Sequence, residues 1–65
     1  MEKYYWEEIF KEYKDVVSPK DLQKMLGLGE TKVYKMLKNQ EIYSRKVGNN
    51  YLIPKVCVID FLLKD

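Results

Sequence analysis

Apolar and polar positions alternate along this chain with two different periods. In "EKYYWEEIFKEYKD", Tyr5, Trp6, Ile9, Phe10 and Tyr13 recur at helical intervals, while Glu7, Glu8, Lys11 and Glu12 fall elsewhere. This pattern predicts an amphipathic helix over residues 1–15. "VVS" is too short to classify, though it suits a bridge into a sheet. "SPKDLQKMLG" then carries a full set of helix signals. Ser18 suits the cap, Pro19 the first helical position, and Asp21 the reciprocal position of a capping box. Leu22, Met25 and Leu26 form the apolar stripe, and Gly27 suits the left-handed residue that stops a helix. Leu28 reads as an apolar plug in the turn, and Gly29 as the residue that lets a second helix start at a sharp angle.

The second helix is expected from Glu30 to about Asn39. At roughly 100° per residue, Val33, Met36 and Leu37 share one side. Thr31, Lys35 and Lys38 lie nearly opposite, flanked by Lys32 and Tyr34. A wet helix face ordinarily mixes both charge signs in i, i+4 pairs, whereas this one holds lysines and, apart from Glu30 in the first turn, no acid.

The period then changes to alternation in "IYSRKVGNNYLIP". Two short strands are predicted, near Tyr43–Val47 and Asn50–Ile53, with a cross-strand Tyr43–Tyr51 pair. Gly48-Asn49 suits a type II′ turn and Asn49-Asn50 a type I′ turn, and both stay open. Pro54 closes the second strand and opens "PKVCVIDFLLKD", a helix apolar nearly all round, although "VCVI" alone has strand preference. Such a helix needs cover on more than one side. The leader stripe is the obvious cover, and a dimer or partner interface the alternative.

Composition narrows the class. With 65 residues, 46% hydrophobic and 34% charged, the chain reads as one small globular domain spanning 1–65. No apolar run is long enough to cross a bilayer, and the N-terminus lacks a signal-peptide pattern, so no membrane partner and a cytoplasmic location are expected. There is no histidine and a single cysteine, Cys57, set among Val56, Val58 and Ile59. That residue reads as a buried apolar side chain, with no metal site, no cofactor and no catalytic group expected. The net charge of +2 conceals a strong polarity. Residues 1–17 hold three lysines against five acids, while residues 31–55 hold six cations against Glu41 alone. A basic middle behind an acidic leader points to a polyanion.

Two short helices, a glycine turn and a hairpin make a mainly α architecture with a small β-hairpin wing, a winged helix-turn-helix over residues 16–63. The segment "SPKDLQKMLGLGETKVYKMLKNQEIYSRKVGNNYLIPKVCVIDFL" resembles the excisionase-type, MerR-like helix-turn-helix family. It shares the family's first helix and turn, its second helix "TKVYKMLK", and the wing and exit in "KVGNNYLIPK". The resemblance implies double-stranded DNA as partner, with Thr31 and Lys32 near base edges and Lys35 at bases or phosphates. Lys38, Arg45 and Lys46 would neutralise phosphates, Tyr34 would reach a phosphate through its hydroxyl, and Asn49 and Asn50 would enter the minor groove. Serine and arginine are common in the family where this chain has Gly29 and Glu30.

The family also implies an origin in a bacterium, phage or mobile element. The implied role is DNA bending that assists a tyrosine-type integrase, with self-association on DNA. A small phage- or plasmid-type transcriptional regulator is the alternative, and a protein-interaction module using Tyr5, Trp6, Ile9 and the last helix is a third reading. Single-strand binding by stacked tyrosines is disfavoured, because Tyr4, Tyr5 and Tyr13 lie away from the basic segment.

Overall fold

The computed structural model describes residues 2–64; Met1 and Asp65, the ends of the expected single domain, lie outside them. The elements in order are α1 (Glu2–Ile9), β1 (Val16–Val17), α2 (Pro19–Leu26), α3 (Glu30–Lys38), β2 (Arg45–Val47), β3 (Asn50–Pro54) and α4 (Lys55–Leu63). The result is a mainly helical small domain with a three-stranded antiparallel sheet in the order β1-β3-β2, the winged helix-turn-helix that the sequence predicts.

The start of α2 follows its local chemistry. The Asp21 amide donates to the Ser18 hydroxyl and the Ser18 amide to the Asp21 carboxylate, both at 3.2 Å, with Pro19 in the first turn. Gly27 ends the helix at φ +67°, and the Gln23 carbonyl accepts from the amides of both Gly27 and Leu28. Gly29 behaves differently from expectation. Its φ of −78° and ψ of 166° are ordinary extended backbone open to any residue, so the sharp entry into α3 does not draw on glycine's freedom there. Leu28 packs half-buried against the core, as an apolar plug should.

The far end of α3 closes without a glycine. Gln40 takes φ +56°, the Glu41 amide donates to the Met36 carbonyl at 2.9 Å, and the Gln40 amide to the Leu37 carbonyl at 3.1 Å. These are the two bonds of a Schellman motif. The descent from this cap buries Ile42 in the core, and β2 begins only at Arg45 rather than at Tyr43. The hairpin loop is Gly48-Asn49, since Val47 pairs with Asn50. Gly48 has φ +62° and Asn49 does not have positive φ, the sign pattern of type II′ rather than type I′.

At the other edge, Val16 and Val17 pair with Pro54 and Ile53, which settles "VVS" as a sheet bridge. Lys55 follows directly: its amide donates to the Asp15 carbonyl at 2.7 Å, and Pro54 serves as N-cap of α4.

The leader departs from its predicted span. The helix stops at Ile9 and residues 10–15 form turns, with the Tyr13 amide donating to the Phe10 carbonyl at 2.9 Å. Phe10 is buried and Trp6 and Tyr13 pack partly against the core, but Tyr5 and Ile9 are more than half exposed. Trp6 and Phe10 stack with centroids 5.5 Å apart, and Tyr13 meets Phe10 edge-on at 5.9 Å. On its buried sides α4 packs against α1 and β3, burying Val58 and Ile59 and leaving Val56 exposed. The leader and β3 thus cover two sides of α4. The core draws on β1, α2, α3, β3 and α4 and on Phe10 just beyond α1, with Leu22, Val33, Ile53 and Val58 fully enclosed and Trp6 of α1 packed against it.

Candidate nucleic-acid interface

Burial of Val33, Met36 and Leu37 fixes the orientation of α3. The remaining face presents Thr31, Lys32, Tyr34, Lys35 and Lys38, all exposed. Among the described residues one ion pair forms, Lys11 with Glu8 at 3.0 Å in the leader, and none involves an α3 lysine; Glu41 is the one carboxylate lining the groove beside Lys32 and Lys35. Lys35 and Lys38 also stand in the last turn, where the helix dipole favours cations. Three like charges on one short helix raise the local positive potential.

The two flanks of this face differ. On one, the Tyr34 ring meets Tyr51 of β3 edge-on, with centroids 5.9 Å apart and planes at 67°. The Lys46 ammonium sits 5.7 Å from the centroid of the same Tyr51 ring, within cation–π range. On the other flank, Lys32 and Lys35 rim a groove of about 500 Å³ floored by Leu26, Leu28, Met36, Phe61 and Leu62.

The hairpin register sorts the wing residues. Arg45 lies opposite Leu52, Lys46 opposite Tyr51 and Val47 opposite Asn50. Because successive strand residues point to opposite faces, Lys46 shares a face with Tyr51, while Arg45, Val47, Asn50 and Leu52 occupy the other. Asn49 stands exposed in the turn. Lys46 is therefore gathered to the junction with α3, Arg45 lies on the opposite face of the ribbon, and Asn49 and Asn50 mark its end.

Three expectations are corrected. Tyr43 does not pair with Tyr51: it precedes β2, is 65% exposed, and Tyr51 faces Lys46 and Tyr34 instead. Lys55, one of the six cations of the basic middle, is turned away from the α3 face. Its ammonium donates to the carbonyls of Tyr13 at 3.0 Å and Phe10 at 3.4 Å, the turn that follows α1. Cys57 is half-buried rather than buried. Burial, then the nearby Asp60 charge, pushes its thiol above the usual value, so the protonated, weakly nucleophilic form prevails at neutral pH.

Helices placed in this way, with a basic second helix beside a two-stranded ribbon, define the helix-turn-helix class of DNA-binding domains. The helix-turn-helix domain family matches residues 16–65, and the chain belongs to that family of excisionase-like DNA-binding domains. Membership implies a DNA partner. No curated protein and no solved structure matches the chain. Among the described residues no helix is long and apolar enough to cross a membrane.

Proposed function

We propose that this protein reads double-stranded DNA with α3 in the major groove and the hairpin along the neighbouring minor groove. In this reading it serves as an excisionase, a recombination directionality factor that curves DNA so that a tyrosine-type integrase assembles for excision of a mobile element. The observation that carries the DNA reading is the exposed face of α3, whose lysines form no ion pair among the described residues, standing beside the exposed β2–β3 hairpin. Thr31 and Lys32, at the start of the helix, are the base-contact candidates, and Lys35 serves bases or phosphates. Lys38, Arg45 and Lys46 supply charge to the backbone, which gives affinity without sequence preference. Asn49 and Asn50 reach the minor groove as uncharged donors. The role is one of binding, not catalysis, in the cytoplasm. A small monomer makes few contacts, so tight occupancy calls for neighbouring copies on adjacent sites.

Duplex binding followed by fluorescence anisotropy tests the surface. Lys35→Ala and Arg45→Ala are each expected to weaken binding about tenfold, the order of one lost charge-assisted contact, with an unchanged circular dichroism melt. Unchanged affinity in both variants discards the interface. A circular-permutation gel with the attachment site of the element tests the excision role. Cooperative occupancy with strong curvature supports it, whereas single-copy binding to straight DNA favours a promoter-bound regulator.

A further inference from the structure

We infer that the contact between Tyr34 and Tyr51 is a brace that sets where the wing stands relative to α3. Tyr34 then contributes to DNA binding by positioning the wing through Tyr51, not by reaching a phosphate with its own hydroxyl. This inference deepens the DNA-binding reading and rests on it.

The packing leaves a gap that the brace fills. α3 packs chiefly on α2, and β3 packs on β1, α4 and α2. The two surfaces assigned to DNA are therefore tied to each other mainly through a third element. β2 is three residues long and every one of its side chains is exposed, and β1 supports only the Ile53–Pro54 base of β3, so beyond that base the hairpin is two-stranded, a form marginal in water by itself. Its direction needs an anchor near α3. The Tyr34–Tyr51 pair, 5.9 Å between centroids at 67°, has the edge-to-face geometry that aromatic rings prefer. Lys46 is the cross-strand partner of Tyr51 and holds its ammonium 5.7 Å from that ring. Ring, ring and cation thus join α3, β3 and β2 in one row.

The consequence for binding is one of effective concentration. When α3 docks, a wing held in place meets the adjacent groove as an intramolecular event, and a wing that swings does so less often. Loss of the brace weakens affinity although no DNA contact has been removed.

The test compares Tyr34→Phe, Tyr34→Ala, Tyr51→Phe, Tyr51→Ala and the double alanine variant in duplex anisotropy. Amide hydrogen exchange of residues 46–50 is measured in the free protein. The phenylalanine variants are expected to bind within about twofold of the parent, because the rings carry the contact. Each alanine variant is expected to lose about five- to tenfold, and the double variant no more than either alone, since both remove one contact. Hairpin exchange should speed up in the alanine variants and not in the phenylalanine ones. Should Tyr51→Ala fail to fold, Tyr51→Leu keeps apolar volume and replaces it. Tyr34→Phe binding as poorly as Tyr34→Ala, additive losses, or unchanged hairpin exchange would each overturn the brace. If the parent shows no affinity for duplex at low salt, the DNA reading falls by itself, and the exchange measurement alone decides whether the brace exists.

Discussion

Gln40 holds a left-handed backbone, φ +56°, at the position after α3 where glycine is favoured. Gln40→Gly is therefore expected to stabilise the protein by about 0.5–1 kcal/mol, raising the thermal midpoint by about 3–6 °C. Gly27→Ala tests the opposite sign at φ +67°. A Cβ there meets no atom within 4 Å, so the expected loss, about 1 kcal/mol in chemical denaturation, reports backbone strain alone. Gly29→Ser adds a side-chain cap that α3 lacks, and a gain of a few tenths of a kcal/mol is expected from the same measurement. These three sites show what a sequence reveals at this scale. Gly27 announced its role because glycine is the usual answer to a left-handed demand. Gln40 makes the same demand with a residue that gives no sign of it, and Gly29 carries the sign without the demand.

The elements were legible to the degree that their causes are local. α2, its cap and the turn into α3 follow from neighbours within four residues, and both the buried and the exposed faces of α3 follow from its period. The leader was half legible. Its stripe identified Trp6 and Phe10 but not the stop at Ile9, which coincides with the partly buried Lys55 ammonium, 45 residues away from Phe10, bonding to the carbonyls beyond the helix. The hairpin shows a subtler dependence. Once the loop is Gly48-Asn49, Tyr51 must face Lys46; an Asn49-Asn50 loop would have set it opposite Gly48, so neither two-residue turn is compatible with the expected tyrosine pair. The stripe of α2 also separates by burial. Leu22 is fully enclosed and Leu26 only partly. Leu22→Ala is expected to cost about 2–5 kcal/mol, and Leu26→Ala less than that, in urea titrations of the two variants. Equal losses would mean that the groove beside Leu26 closes in solution.

At the scale of the molecule, charge was legible as a polarity of the chain, and the fold refines it. Lys55 belongs to the basic run by number and to the leader by contact, so the positive field gathers on α3 and β2. Binding to a duplex is expected to fall linearly on a log–log plot against salt, with a slope of about −0.9 per phosphate engaged; a flat line in anisotropy titrations would exclude a phosphate interface. Whole-molecule packing was legible in outline, because an all-round apolar α4 needs cover and the leader stripe was the obvious segment to give it; which leader residues turn inward, Trp6 and Phe10 rather than Tyr5 and Ile9, was not. The family match starts at residue 16, yet Trp6 and Phe10, which shield that helix, precede it. An expression fragment trimmed to the homology boundary would emerge with a greasy flank bare to water. Such a fragment is expected to bind a hydrophobic dye and to clump, even though every residue proposed to read DNA is still in place.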